Sequence, residues 1–208
     1  SQVLSAIFEK AALPWFRDAD ELVQTPDELP LDIVSAGAAM GLDANAVYEQ
    51  LLASWGKVDT AARARVGAAG EAALVALLRD STEGRVDHVS TWSDGYGYDV
   101  AFAQNAVCVH LEVKSTTRHG RFTAYLSRHE YRVMLRDDCW VLVSVRLNTD
   151  SEIVGVGFVP REWIAANVPR DAGASGTWSS CRLEIPTEVI GGGLPQLGEE
   201  ISSRLPPW

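Results

Sequence analysis

Two stretches of this sequence carry residue types that could do chemistry together. Val107-Cys108-Val109-His110-Leu111-Glu112-Val113-Lys114 alternates apolar and polar side chains, the period of a strand with two unlike faces. Val107, Val109, Leu111 and Val113 make a face fit to pack on a helix; Cys108, His110, Glu112 and Lys114 share the other. A Glu and a Lys two apart on an otherwise apolar strand are costly if buried without purpose. Upstream, Asp99 follows the glycine-rich turn Gly95-Tyr96-Gly97 at the start of an earlier strand. A tight turn around Gln104-Asn105 would fold that strand back and bring Asp99 beside Glu112. Two carboxylates, a backbone carbonyl and waters make a hard-oxygen site suited to Mg²⁺ or Mn²⁺. Lys114 would then align an attacking water and stabilise charge developing on a phosphate. Glu71, in Gly67-Ala68-Ala69-Gly70-Glu71, adds a third carboxylate if that glycine-flanked segment lies close to the sheet. The Glu-x-Lys triplet alone is ordinary on a solvated strand face. A helix acid, a glycine turn ending in Asp and then this strand, in one compact order, is what points to a site.

The elements that must position these residues are legible from periodicity. From Ala61 to Leu78, Val66, Ala69, Ala73, Leu74, Leu77 and Leu78 fall on one helical face. Gly67 and Gly70 inside it suggest that another backbone packs close. Strands are predicted at Val86–Thr91, Tyr98–Ala103, Val107–Ser115 and Trp140–Leu147. Between the last two lies a helix from Ser127 to Arg136, with Ser127 as N-cap and Glu130 completing a capping box. A strand at Ile153–Phe158, a short helix opened by Pro160 and a strand at Trp178–Ile185 follow. The order from Ala61 is helix, three strands, helix, strand: an α/β arrangement in three layers around a mixed sheet.

The first third reads as helices. Val3 to Leu13 ends near Pro14, and Leu31–Met40, Gly41 and Asp43–Trp55 read as helix, turn, helix with Asp43 as N-cap. The spacing is reminiscent of a helix-turn-helix, but Asp43–Trp55 offers no Arg or Lys to a phosphate, which favours packing or docking over DNA reading. The tail, with Gly191-Gly192-Gly193 and Pro206-Pro207, reads as a loop or linker. The division expected is a helical segment at 1–58, the α/β domain at 59–190 and a tail at 191–208.

Two hundred and eight residues with 47% apolar and 22% charged side chains fit one well-buried domain plus a small module. The formal charge is −10, which argues against a nucleic-acid partner. Its distribution argues otherwise. Residues 1–60 hold ten acids against three bases, whereas from Glu112 to Arg136 six bases face only Glu112 and Glu130. Within that strip Arg118, Arg121, Arg128 and Arg132 could track a phosphate backbone, and Ser115, Thr116 and Thr117 could donate to phosphate oxygens. Trp92 and Tyr96 could stack on a base. Three scattered cysteines suit a reducing compartment, and no apolar run is long enough to span a bilayer. The opening residues lack a secretory pattern and an initiator Met; the expectation is a cytoplasmic protein or a piece of a longer one. Nothing favours Ser/His/Asp or Cys/His nucleophilic chemistry, since no Ser sits in a glycine elbow and no Cys in a recognisable catalytic motif.

Gly97-Tyr98-Asp99 followed by Leu111-Glu112-Val113-Lys114-Ser115-Thr116 resembles the active-site signature of the PD-(D/E)XK nuclease superfamily. More narrowly, the chain is similar to the NO VEIN C-terminal domain family, through Gly67–Leu78, Val89–Asp99, Leu111–Thr117, Leu126–Tyr131 and Trp140–Val145. The resemblance implies a restriction-endonuclease-like core and Mg²⁺- or Mn²⁺-dependent cleavage of phosphodiesters. By position, Asp99 and Glu112 would bind the metal, Lys114 would assist the water and Glu71 would be the helix acid. Tyr98 stands where the superfamily's name has Pro, a variation it tolerates. DNA is the substrate expected, in restriction or anti-phage defence, with a homodimer or a defence-complex subunit as the assemblies it admits. The alternative is a non-catalytic module of the same fold that binds nucleic acid, modified DNA included, or a defence-complex partner.

Overall fold

Apolar periodicity sorts the chain into helical and strand-forming parts. A computed structural model describes residues 2–10, 16, 19, 23, 25–120, 122–171 and 177–208. The chain divides into two units, Ser1–Arg65 and Val66–Trp208.

The first unit contains helix α1 (Gln2–Lys10), helix α2 (Leu31–Ala39) and the first part of helix α3 (Ala44–Ser81). Leu4, Phe8, Ile33, Val47 and Leu51 are its buried core. Gly37 is required there: a Cβ on it would come 2.2 Å from Val47 Cγ2. Asp43 caps α3 by accepting from the Ala46 N–H at 2.8 Å. The helix expected to stop at Trp55 and the one expected from Ala61 are a single helix. The intervening residues contain no proline and one glycine, too little to break the backbone ladder. The stop expected near Pro14 lies outside the described residues.

The second unit is a mixed α/β structure. Its strands are β1 (Arg85–His88), β2 (Val100–Gln104), β3 (Val107–Thr116), β4 (Phe122–Ser127), β5 (Trp140–Leu147), β6 (Ile153–Val159), β7 (Ser180–Ile185) and β8 (Gly191–Gly192). Six form one sheet in the order β1-β2-β3-β5-β6-β8, and β4 pairs with β7 in a second. Only the β3–β5 pairing is parallel among these ladders. Its crossover holds β4 and helix α4 (Arg128–Met134); helices α5 (Arg161–Asn167) and α6 (Glu199–Ser202) follow.

The central strands are buried on both faces. Along β5, Val141, Val143 and Val145 join Leu74 and Leu78 of α3 in one cluster. Trp140 and Leu142 join Leu126, Met134, Ile164 and Leu183 in another. Burying each such side chain contributes roughly 1.5–3 kcal/mol.

Other sequence expectations differ from the structure as well. The strand expected over Val86–Thr91 closes at His88, because Val89–Thr91 coils into a 3-10 turn. Strand β4 was not expected, although Phe122, Ala124 and Leu126 alternate with half-buried or exposed residues as a strand requires. The tail is no linker: Leu194, Leu197, Ile201 and Leu205 are buried in the main cluster. Its glycines let β8 lie under Phe158, whose ring would meet a Cβ on Gly191 at 2.3 Å. The boundary expected at residue 58 compares with a division between Arg65 and Val66. Among the described residues, no helix is long and apolar enough to cross a membrane.

Candidate active site

The site is built around β3 and the turn before β2. Register pairs Val100 with Leu111, which sets Asp99 opposite Glu112. The Asp99 N–H donates to the Leu111 carbonyl at 2.9 Å, and Asp99 Oδ2 accepts from the Val113 N–H at 2.7 Å. Gly97 turns the chain into this position with φ +72°, and a Cβ there would come 2.6 Å from Val133 Cγ2. Backbone conformation and space both demand glycine. The turn is pinned from outside by Trp140 Nε1, which donates to the Gly97 carbonyl at 2.9 Å.

Glu112 is 3% exposed. Lys114 Nζ donates to Glu112 Oε1 at 2.6 Å and to Glu130 Oε1 at 3.2 Å. Glu130 is bifunctional: its Oε2 accepts from the Ser127 N–H at 2.6 Å, closing the predicted capping box of α4. Glu71, from α3, accepts from Ser90 Oγ at 2.7 Å and from His88 Nε2 at 3.3 Å. One lysine thus faces several carboxylates.

The titration behaviour follows from that imbalance. Burial, then repulsion from Glu71, pushes Asp99 up to about 6. Burial also raises Glu112 well above the usual carboxylate range; Lys114 pulls it back and Asp99 pushes it further up. Burial opposes the charge on Lys114, but Glu112 and Glu130 more than offset it and hold the ammonium above its ordinary value. Glu130 is also opposed by burial, yet Lys114 and its hydrogen bonds bring it below the ordinary value.

Asp99, Glu112, Glu130, Ser90, Tyr98 and Ser127 are among the residues lining an open cleft of about 320 Å³. Hard oxygens with uncompensated negative charge are the donor set a small dication fits, and Mg²⁺ commonly takes only one or two carboxylates and keeps several waters. Among the described residues no group of three or more His, Cys, Asp or Glu side chains is arranged to hold an ion by itself. Asp99 and Glu112 are the two cleft carboxylates that could hold such an ion.

Residues 70–155 match the family described as Protein NO VEIN, C-terminal. The chain is similar to the NO VEIN C-terminal family over this stretch. No curated protein matches the chain. The matched segment contains Glu71, Asp99, Glu112, Lys114 and Glu130, the charged residues of the cleft and its edge.

The basic and hydroxyl residues of the same segment are dispersed. Ser115 points away from the cleft, against α3: a Cβ on Gly70 would lie 1.8 Å from its Oγ, and that Oγ is buried without a hydrogen bond. Thr116 Oγ1 accepts from the Arg118 N–H at 3.1 Å, and Thr117 is exposed. Arg128 is committed to Asp171 through two bonds of 2.7 and 2.6 Å and lies over Trp178 at 4.9 Å. Arg132 is exposed; Arg121 lies outside the described residues. Trp92 and Tyr96 are exposed and meet edge to face at 5.4 Å. His129 lines the cleft and donates Nε2–H to the Gly95 carbonyl at 2.9 Å. The sequence places Glu130 only as the capping-box acid. The acid's place at the third helical position was visible in the sequence; its reach to Lys114 needed the β3–α4 geometry.

Proposed function

We propose that Val66–Trp208 is a metal-dependent nuclease of the PD-(D/E)XK type that hydrolyses phosphodiester bonds of DNA. The observation that carries the reading is the Glu112–Lys114 ion pair, with Glu112 buried, beside Asp99 in an acidic cleft. The element order supports it: the end of α3, then β1–β2–β3, then α4 and β5 parallel to β3, follows the helix, three-strand, helix, strand order expected of such a core, with β4 as an added strand before α4 that pairs in the second sheet. Mg²⁺ or Mn²⁺, when bound, would supply Lewis-acid polarisation of the phosphate and a water of lowered pKa. Asp99 and Glu112 would hold it. Lys114, kept protonated by its two carboxylates, would orient the water and neutralise charge growing on the phosphoryl oxygens. Glu130 would fix the Lys114 ammonium by one oxygen while its other oxygen anchors α4. Glu71, braced by Ser90 and His88, would shape the field at Asp99. Restriction or anti-phage defence is the setting proposed with this activity.

The test is a cleavage time course on plasmid, single-stranded DNA, modified phage DNA and RNA, each with Mg²⁺, Mn²⁺ or EDTA. Cutting should require the metal, and Lys114→Ala should slow it at least roughly 100-fold. Cutting that persists at the wild-type rate in Lys114→Ala would sink the proposal. A stably folded protein that cuts nothing but holds nucleic acid equally well in EDTA would point to the non-catalytic binding module.

A further inference from the structure

At the other end of the polar face of β3, away from Lys114, the chain assembles a cysteine, a histidine and an aspartate that no sequence motif brings together. Cys108 is exposed, and its Sγ lies 3.6 Å from His110 Nε2. His110 Nδ1 lies 2.6 Å from Asp137 Oδ2. A carboxylate cannot donate, so Nδ1 carries the proton, and in the neutral ring Nε2 is the acceptor facing the thiol. The ring is held in that orientation by Tyr98, stacked on it at 4.2 Å with planes 4° apart. Asp137 is held in turn, its Oδ1 accepting from the Cys139 N–H at 2.9 Å. Nucleophile, base and orienting carboxylate in hydrogen-bond sequence are the arrangement that activates a thiol.

A second thiol lies beside the first. The Cys139 carbonyl accepts from the His110 N–H at 2.8 Å, which fixes Cys139 against the same histidine. The parallel register of β3 and β5, which pairs His110 with Trp140, brings Cys139 alongside the Cys108–His110 stretch, and burial and then Cys108 push its thiol up. Cys181 is buried and belongs to the other apolar cluster.

We propose that Cys108 and Cys139 are a reactive dithiol, with His110 as base and Asp137 as positioning residue, oxidised by hydroperoxides to an intrachain disulfide. Cys108 Sγ attacks one peroxide oxygen while its proton passes to His110 Nε2. The S–O bond forms, the O–O bond breaks, and the departing oxygen takes the proton back from His110 and leaves as water or an alcohol. Cys139 Sγ then attacks the Cys108 sulfenic sulfur. The S–S bond forms, the S–O bond breaks, and the hydroxyl leaves as water with the Cys139 proton. The two thiols lose two electrons and the peroxide gains them. The site is independent of the nuclease reading, since it uses neither a metal nor any acid of the cleft.

The full chain, reduced and then treated with hydrogen peroxide, should lose two of its three thiols. Peptide mapping should join Cys108 to Cys139 and leave Cys181 a thiol. Cys139→Ser should stop the reaction at a Cys108 sulfenic acid that dimedone traps. His110→Gln should slow Cys108 oxidation at least roughly 10-fold. Asp137→Asn should slow it less, and Asp137→Glu should restore part of that loss, which a merely structural aspartate would not do. Melting curves separate lost reactivity from lost fold, and the wild-type mapping needs no variant. The proposal is overturned if wild-type Cys108 reacts no faster than a cysteine peptide, if the disulfide maps to another pair, or if folded His110→Gln reacts at the wild-type rate.

Discussion

The two faces of β3 solve opposite problems with one backbone. On one face Val109, Leu111 and Val113 are buried against Leu74 and Leu78 of α3, each apolar group traded from water to packed contacts. The defect on that face is Ser115, whose buried hydroxyl has no partner. On the other face Glu112 is as deeply buried, but there burial disfavours its charge, and Asp99 and Glu130 oppose part of the relief that Lys114 gives. A stability optimum would place a neutral residue there. The first face therefore sets how firmly the strand is held, and the second carries buried charge at a cost to stability.

The sharpest way to break this contrast is Asp99→Asn. Asp99 has a folded pKa of about 6 against an ordinary value of 3.8. Below pH 3.8 the carboxyl is protonated folded and unfolded, so no penalty exists. As pH rises through 6 the folded chain must carry the charge, and stability falls by up to about 3 kcal/mol. Asparagine stays neutral and keeps an oxygen for the Val113 N–H. The variant should melt above the wild type at pH 7.5, by roughly 2–4 °C for each kcal/mol, and the gap should close toward pH 4. Added Mg²⁺ should narrow it at pH 7.5 by stabilising the wild type only. An asparagine variant that melts lower at pH 7.5 would show that Asp99 is a stabilising group and that the faces do not differ as argued.

The contrast also separates what the sequence made legible from what it did not. The alternation of β3 assigned both faces, and the glycine turn plus the hairpin put Asp99 beside Glu112, because short-range register fixes both. The Ser127–Glu130 capping box was legible for the same reason. Ser115 was offered to phosphates as part of a hydroxyl run, yet one position along a strand reverses the face, and it points into α3 instead. Arg128 was expected to track a phosphate backbone; its partner Asp171 lies in a distant loop, where no local period reaches. The Cys108–His110–Asp137 alignment was hidden for a like reason: Asp137 arrives from the turn before β5, across the parallel crossover. Long-range pairing escapes a local reading even where every residue type is in view.

The packing face can be tested through α3, with effects that should be smaller. Gly70→Ala would place a Cβ 1.8 Å from Ser115 Oγ and 2.6 Å from its Cβ. Both backbones are fixed by their own ladders, so the helix must shift, at a cost of about 1–3 kcal/mol. Chemical denaturation should show the loss, and Ser115→Gly in the same chain should recover most of it. If Gly70→Ala is neutral by itself, α3 does not bear on β3 as tightly as the buried face requires.

The smallest effect is expected three residues earlier, with the opposite sign. Gly67 belongs to the same helix, but a Cβ there would meet nothing within 4 Å. Alanine at Gly67 therefore keeps every contact and lowers the entropy of the unfolded chain, a gain of up to about 1 kcal/mol. The two substitutions are chemically identical and differ only in whether β3 lies opposite. Denaturation midpoints that rise for Gly67→Ala and fall for Gly70→Ala would locate the close approach at Gly70. Equal upward shifts would mean that helix propensity alone governs both, and that the small residues before Glu71 do not serve to seat the helix on the strand.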